Sequence, residues 1–449
     1  MTKNTYCLST AARRVSCFVL AVHFCLSFSL YSSSAATWSV AARNAVVLDT
    51  SGVGATVGEL SGVTYLGPSP AGGKHRFLTV QDNGNGIVTL DATFDLSGNL
   101  VSAGAVSSQS LSMSQDFEGI AQVGSSVFLS EETGPGVREY NPTTGNELQN
   151  VSIPTLFTSN RRSNLGFESL SYDAHGSRLW TATEAALTVD GGVATATAGT
   201  TVRLLELNRS GNEFLPGSQY AYEVEPIHGT ASGSAQTGLV DLVTLPDGTL
   251  LGLERSLAGA IPPYNSKLFE IDFSAATDVS VAPYDAGLSG AIFAKVSKSL
   301  LWTGPAGGGF GQNLEGLTVG PRLPNGDWIL LGVVDDGDVL SSNTIVALTA
   351  TPAVSIPFDL DTGDFDQDTD SDGADFLAWQ RGFGVATLAG ITDGDGNHDG
   401  TVTGSDLAIW ESQYGAATLL AALHAVPEPA SLALLLIAGA SGLAVSRGK

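Results

Sequence analysis

The stretch Asp116-Phe117-Glu118-Gly119-Ile120-Ala121 decides the fold, because altered copies of it return along most of the chain. An acid opens a short apolar strand at Glu59-Leu60-Ser61-Gly62-Val63, at Glu118, at Phe167-Glu168-Ser169-Leu170, at Val240-Asp241-Leu242 and at Leu314-Glu315-Gly316-Leu317-Thr318. The acids are 59, 50, 73 and 74 residues apart. A second strand-like piece ending in an acid follows each one after 13 to 23 residues, at Asp82, Glu131-Glu132, Glu184, Glu254 and Asp335-Asp336. Self-similarity with a period of tens of residues marks a ring or stack of like units. These spacings suit four-stranded blades with loops of uneven length. They predict an all-β propeller of about five to six blades over residues 37–350, the last closed by Trp38–Val47 pairing with Asn343–Leu348. A β-sandwich is the alternative, but it gives no reason for two acids to recur.

Composition agrees with an all-β main domain. Fifty-four glycines and many short Val, Thr and Leu runs occur with almost no 3.6-residue apolar period. A formal charge of −25 excludes nucleic acid as a partner, since no basic stripe is available for a phosphate backbone.

In a propeller, equivalent positions of successive blades converge on the central channel, so the repeated acids are expected to ring one mouth. Carboxylates so placed raise one another's pKa unless a counter-charge is present. A hard cation with oxygen ligands supplies one, and calcium suits a protein outside the cell.

The ordered set Asp116-Phe117-Glu118-Gly119-Ile120-Ala121, Ser130-Glu131-Glu132, Asn164-Leu165-Gly166-Phe167-Glu168, Thr183-Glu184, Leu253-Glu254-Arg255, Asn313-Leu314-Glu315-Gly316-Leu317 and Val334-Asp335-Asp336 resembles the phytase-like family, a propeller family named for an esterase-like activity of phytase. The chain departs from the family pattern at Leu165, where an arginine is usual, and at Val334 and Gly337, which flank the paired aspartates. The resemblance implies hydrolysis of a phosphate ester or another ester. Glu118, Glu168, Glu315 and Asp335 would then hold the metal, and Glu131 or Glu184 would act as base. Arg255, with Arg161 or Arg162, would hold phosphate oxygens. The same acids also suit a non-enzymatic surface or matrix protein in which they cap backbone donors or hold a structural ion.

Other catalytic designs are missing from the sequence. It has no Gly-x-Ser-x-Gly elbow and no His-Glu-x-x-His helix, and His75, His175 and His228 stand at no ligand spacing.

A second unit is expected at residues 361–415, after a linker at 351–360. Between Asp361 and Glu411 stand eleven aspartates and one basic residue, Arg381. The frame Asp395, Asn397, Asp399, Thr401 and Asp406, with Gly400 at the sixth position, is that of an EF-hand calcium loop followed by a helix. It is preceded by a like frame at Asp364, Asp366, Asp368, Asp370 and Asp375, where Thr369 replaces the glycine. The pair resembles a dockerin-type module, which implies calcium binding and, in that family, a cohesin partner.

The ends read as address segments. Lys3, Arg13 and Arg14 precede an apolar run from Val15 to Leu30 and a small-residue patch, the order of a signal peptide over residues 1–36. All three cysteines lie within it, so the mature chain is expected to have none. After a short linker at 416–425, Val426-Pro427-Glu428-Pro429, an apolar run and a basic end resemble the PEP-CTERM sorting signal. That resemblance implies export to the cell envelope and a sortase-like processing enzyme at the C-terminus.

Overall fold

The computed structural model describes residues 36–414, apart from 54–56, 83–84, 232, 260–262, 305–308, 324, 354–361, 367–369, 386–388 and 397–400. The signal peptide, the sorting segment, most of both linkers and the ligand positions Asp368, Asn397 and Asp399 lie outside the described residues.

Strand β1 (Trp38–Val47) opens the chain, and nineteen more strands complete five four-stranded antiparallel sheets. The first blade contains β2 (Leu60–Pro68), β3 (His75–Gln81), β4 (Gly86–Phe94) and β5 (Leu100–Ser110). The second contains β6 (Phe117–Val123), β7 (Ser126–Glu131), β8 (Gly136–Tyr140) and β9 (Glu147–Val151). After the short helix α1 (Thr155–Asn160), the third contains β10 (Ser171–Asp173), β11 (Arg178–Ala182), β12 (Thr200–Ser210) and β13 (Glu213–Val224). The fourth contains β14 (Gln236–Thr244), β15 (Leu250–Leu257), β16 (Tyr264–Asp272) and β17 (Ser297–Thr303).

The fifth blade contains β18 (Leu314–Arg322), β19 (Trp328–Val334) and β20 (Thr344–Pro352), and takes β1 as its outermost strand. Their register runs from Trp38 opposite Pro352 to Val47 opposite Thr344, so the expected closure forms. It joins the first strand of the domain to the last and removes the free edge that an open ring would leave.

The core lies between blades. Val63, Phe77 and Leu90 of the first blade pack with Ile329, Leu331 and Val333 of the fifth, while Trp180, Leu204 and Tyr222 of the third pack with Leu239 and Leu250 of the fourth. Near the axis some inner strands also approach one another closely through glycine backbone. A Cβ added to Gly119 would lie 2.5 Å from the Leu170 amide nitrogen, and one on Gly316 would lie 2.1 Å from the Ser61 carbonyl oxygen. The glycine after the repeated acid is therefore the residue that lets inner strands approach.

The C-terminal unit contains two ten-residue helices, α2 (Gly373–Gly382) and α3 (Gly404–Gln413). Each opens on a reciprocal cap, Asp372 with Asp375 and Thr403 with Asp406. The Trp379 indole donates to the Thr403 carbonyl and the Trp410 indole to the Asp372 carbonyl, both at 2.8 Å. Each helix is thus tied to the start of the other.

Candidate functional site

The strand register shows how the acids reach the mouth. In each blade one bridged pair stands just before a break in the inner ladder, Leu60 with Gln81, Phe117 with Glu131, Phe167 with Thr183, Leu239 with Glu254 and Leu314 with Val334; in the fourth blade three further pairs, from Gln236 with Leu257 to Gly238 with Arg255, precede it. The inner strand then carries one extra residue, because the next partners are Val63 with Thr79, Ile120 with Leu129, Ser171 with Trp180, Asp241 with Leu253 and Gly316 with Val333. Such a bulge re-aims the side chain at the insertion.

Counting from the bridges gives two sets of equivalent positions. The inner set is Ser61, Glu118, Glu168, Val240 and Glu315. The outer set, one residue after each partner, is Asp82, Glu132, Glu184, Arg255 and Asp335.

Glu59 and Asp241, which share the sequence repeat, therefore stand outside the inner set. The Glu59 amide donates to Asp336 at 2.6 Å. The Asp241 carboxylate accepts from the Leu317 amide at 2.7 Å and from Leu242 at 2.8 Å, and so fastens its inner strand to that of the fifth blade. Glu254 faces away from the outer set, to the Tyr222 hydroxyl at 2.7 Å and Lys298 at 2.5 Å.

The remaining acids crowd together. One carboxylate oxygen from each of Glu118, Glu132 and Glu168 lies within 4.8 Å of the others, and a second such triad is Asp82, Asp116 and Glu118. Ser61 donates to Glu118 at 2.5 Å. Burial first, then the charges of Asp82 and Glu315, raise Glu118 well above the usual carboxylate range. Burial and neighbouring acids do the same to Glu168. Burial pushes Glu132 up to about 7 and Glu315 up to about 8, the latter restrained by Arg255. Glu184 is also raised by burial and held back by Arg255.

Arg255 meets Glu315 at 2.8 Å and Glu184 at 3.5 Å, while its buried Nε has no hydrogen-bond partner. Asn313 joins Glu315 to Asp335 through its amide nitrogen, at 3.0 and 2.9 Å. The acids of the two triads offer oxygen atoms alone, the set that suits a hard divalent cation such as calcium. Buried carboxylates with raised pKa values fit such an ion, since its charge offsets their mutual repulsion.

A family model described as phytase-like, esterase-like activity of phytase, matches residues 55–338, which contain both sets of ring positions. The chain belongs to the phytase-like family. No curated protein matches this phytase-like chain. Among solved structures, an endo-arabinase from Bacteroides thetaiotaomicron is 13% identical over 69% of this chain and 98% of its own, with a TM-score of 0.38. A glutaminyl cyclase from Myxococcus xanthus is 10% identical over 70% and 97%, with a TM-score of 0.33. Hydrazine synthase from Kuenenia stuttgartiensis is 11% identical over 67% and 66%, with a TM-score of 0.29. Likenesses of this order say nothing about chemistry.

Within the phytase-like propeller the other sequence candidates are dispersed. Glu131 lies one residue from the outer set and so on the opposite strand face, where it pairs with Arg138 at 3.3 Å. Arg162 donates to the carbonyls of Ala186 and Gly191, at 2.9 and 2.6 Å. Glu168, Glu184, Arg255, Glu315 and Asp335 all belong to the ring. Glu132 and Asp82 share the sequence repeat but have no site role in what the resemblance implies, and Asp116 and Ser61 stand outside the repeated acids. Register against Glu118 places Ser61, Asp82 and Glu132 in the ring, and Asp116 joins them two residues before Glu118. The histidines serve elsewhere: His228 Nδ1 meets the Ser256 hydroxyl at 2.9 Å, and His75 Nδ1 meets the Tyr65 hydroxyl at the same distance.

In the C-terminal unit, oxygens of Asp364, Asp366 and Asp375 lie within 4.8 Å of one another, as do those of Asp370, Asp372 and Asp375. Asp375 accepts from the amides of Phe365 and Asp372, at 2.6 and 2.7 Å. Asp406 accepts from Gly396 and Thr403, at 2.9 and 2.7 Å. The last acid of each frame thus gathers its own loop. Among the described residues no helix is long and apolar enough to cross a membrane.

Proposed function

We propose that the propeller is a calcium-assisted hydrolase of a phosphate ester or carboxylic ester. The observation that carries this reading is the convergence of two carboxylate triads on Glu118 at one mouth of a phytase-like propeller. Glu118, Glu132 and Glu168 would hold the ion, with Asp82 and Asp116 beside them. When bound, calcium would supply a positive charge that polarises the ester oxygen and acidifies a nearby water. Glu184, one of whose oxygens has no hydrogen-bond partner, takes the proton of that water. Arg255 offers its Nε–H to an ester oxygen, which also orients the substrate.

Turnover of p-nitrophenyl acetate and p-nitrophenyl phosphate, with calcium and after chelation, tests the proposal. Calcium-dependent release of nitrophenol that falls at least 100-fold in Glu118→Gln and Glu132→Gln, with the fold intact, is the expected result. Equal rates in wild type and both variants would sink it.

A second reading is a surface or matrix binding protein with structural calcium. It is favoured by Asp241, a member of the repeat whose carboxylate serves only to fasten strands, and by Gly337 beside Asp335. That reading expects calcium to raise the melting temperature without turnover of any ester.

Around the propeller we place an exported chain sorted to the cell envelope, cut near Pro427 by a sortase-like enzyme and carrying a calcium-binding dockerin-like unit for a cohesin-like or surface partner. Support comes from the sequence order of the two ends and from the paired Asp375 and Asp406 loops. Mass spectrometry of the protein recovered from its native envelope tests the export and sorting reading; an intact N-terminus and an uncut C-terminal tail would contradict it.

A further inference from the structure

Four blades place an acid in the outer set of ring positions, and the fourth blade places Arg255 there. The same blade places Val240 in the inner set. The consequence is a ring with two unlike arcs. Both carboxylate triads of the propeller, among the described residues, belong to blades one to three, and neither includes Glu184, Glu315 or Asp335. Those three acids instead surround the guanidinium, Glu315 at 2.8 Å, Glu184 at 3.5 Å, and Asp335 through Asn313. The Arg255 side chain is 7% exposed, so its charge acts where water screens little. The other cations near the neighbouring strands are engaged elsewhere, Lys298 with Glu254 and Lys267 with Glu225.

We infer that Arg255 is a built-in counter-cation, occupying the place of a second metal ion and confining calcium to the arc of blades one to three. The inference rests on the calcium reading of the site, but it concerns the number and position of ions rather than turnover. A guanidinium is planar and permanently charged, and here it hydrogen-bonds Glu315 and lies at ion-pair distance from Glu184. Without it, the place now held by the Arg255 guanidinium nitrogen, 2.8 Å from Glu315 and 3.5 Å from Glu184, would be left between uncompensated buried acids, the setting that recruits a hard cation.

The experiment is calcium titration of the full chain by calorimetry, comparing wild type with Arg255→Gln and Arg255→Lys, with far-ultraviolet circular dichroism to establish that each is folded. The C-terminal unit is unchanged in all three and serves as an internal reference. Arg255→Gln is expected to bind one calcium ion more than wild type, and Arg255→Lys the same number as wild type. A folded Arg255→Gln with unaltered stoichiometry would overturn the inference while leaving the calcium reading intact. If calcium binding by wild type is wholly abolished when the C-terminal loops are disabled by Asp375→Ala and Asp406→Ala, the calcium reading falls. An ion gained on Arg255→Gln in that background would still support the counter-cation role. Should Arg255→Gln not fold, Glu315→Gln provides the check, since removing an acid next to Arg255 must leave wild-type calcium stoichiometry unchanged; a lost ion would contradict the two-arc division.

Discussion

Ser61 donates a 2.5 Å hydrogen bond to Glu118 from the ring position where blades two, three and five carry an acid. The hydroxyl thus takes the place of a further charge and holds one oxygen of the carboxylate shared by both triads. Groups that orient a metal ligand commonly change affinity by 10- to 100-fold when removed. Ser61→Ala should weaken the propeller's calcium affinity about 10-fold, while Ser61→Thr restores most of it. Calcium titration reads this directly, and an unaltered affinity in Ser61→Ala would show that the hydroxyl only fills space.

Backbone contact at the axis predicts a sharp distinction among glycines. In Gly119→Ala the new methyl meets backbone atoms of Ser169 and Leu170, which cannot rotate away. A loss of about 3 kcal/mol is expected, the scale of overpacking in a tight core. Gly192→Ala, where a Cβ meets nothing within 4 Å, should change stability by less than about 0.5 kcal/mol. Urea denaturation of the two variants checks the contrast.

Arg203 and Asp190 form an ion pair with no exposure of either side chain. Two guanidinium nitrogens meet the two carboxylate oxygens at 2.8 and 2.9 Å, and the remaining donors reach Gln219, Val279 and Tyr284. The pair therefore pins the segment between β16 and β17 to the third blade. Removing one partner leaves a buried charge uncompensated, at a cost of about 3–5 kcal/mol. Asp190→Ala should lower the unfolding midpoint accordingly, and limited proteolysis should cut first between residues 275 and 296.

His75 connects stability to pH. Burial pushes it down to about 4, whereas the unfolded chain takes up that proton near 6.5. Between these values the unfolded state binds more protons, so stability is full above pH 6.5 and falls as pH drops toward 4. The contribution is at most about 1.4 kcal/mol per pH unit within that window. His75→Gln keeps a polar partner for Tyr65 and should flatten this limb. Urea midpoints at pH 7, 5.5 and 4.5 measure the difference in slope.

The repeat around Glu118 carried the architecture because a propeller writes itself into sequence as a period. Glu168, Glu184, Glu315 and Asp335 were recognisable for the same reason. Glu59, Glu131 and Asp241 were recognised with them, although their side chains serve other ends. Glu131 and Asp241 each stand one residue off a ring position, which explains the difference for these two. A strand's side chains alternate between faces, so a shift of one position moves an acid from the channel to the blade interior. Ser61 and Arg255 carry no acid and were therefore invisible as members of the ring, although Arg255 drew attention through its neighbour Glu254.

By itself the sequence determined the all-β class, the number of repeating units to within one and the closure by Trp38–Val47. These depend on composition, period and local pattern, which a chain carries along its length. Only the tertiary structure decided which acids share the mouth, that blade one supplies Ser61 and blade four Arg255, and that Arg255 lies between Glu184 and Glu315. Those facts depend on register between strands distant in sequence, and electrostatic energy is set by separation in space and by burial, neither of which is written in the order of residues.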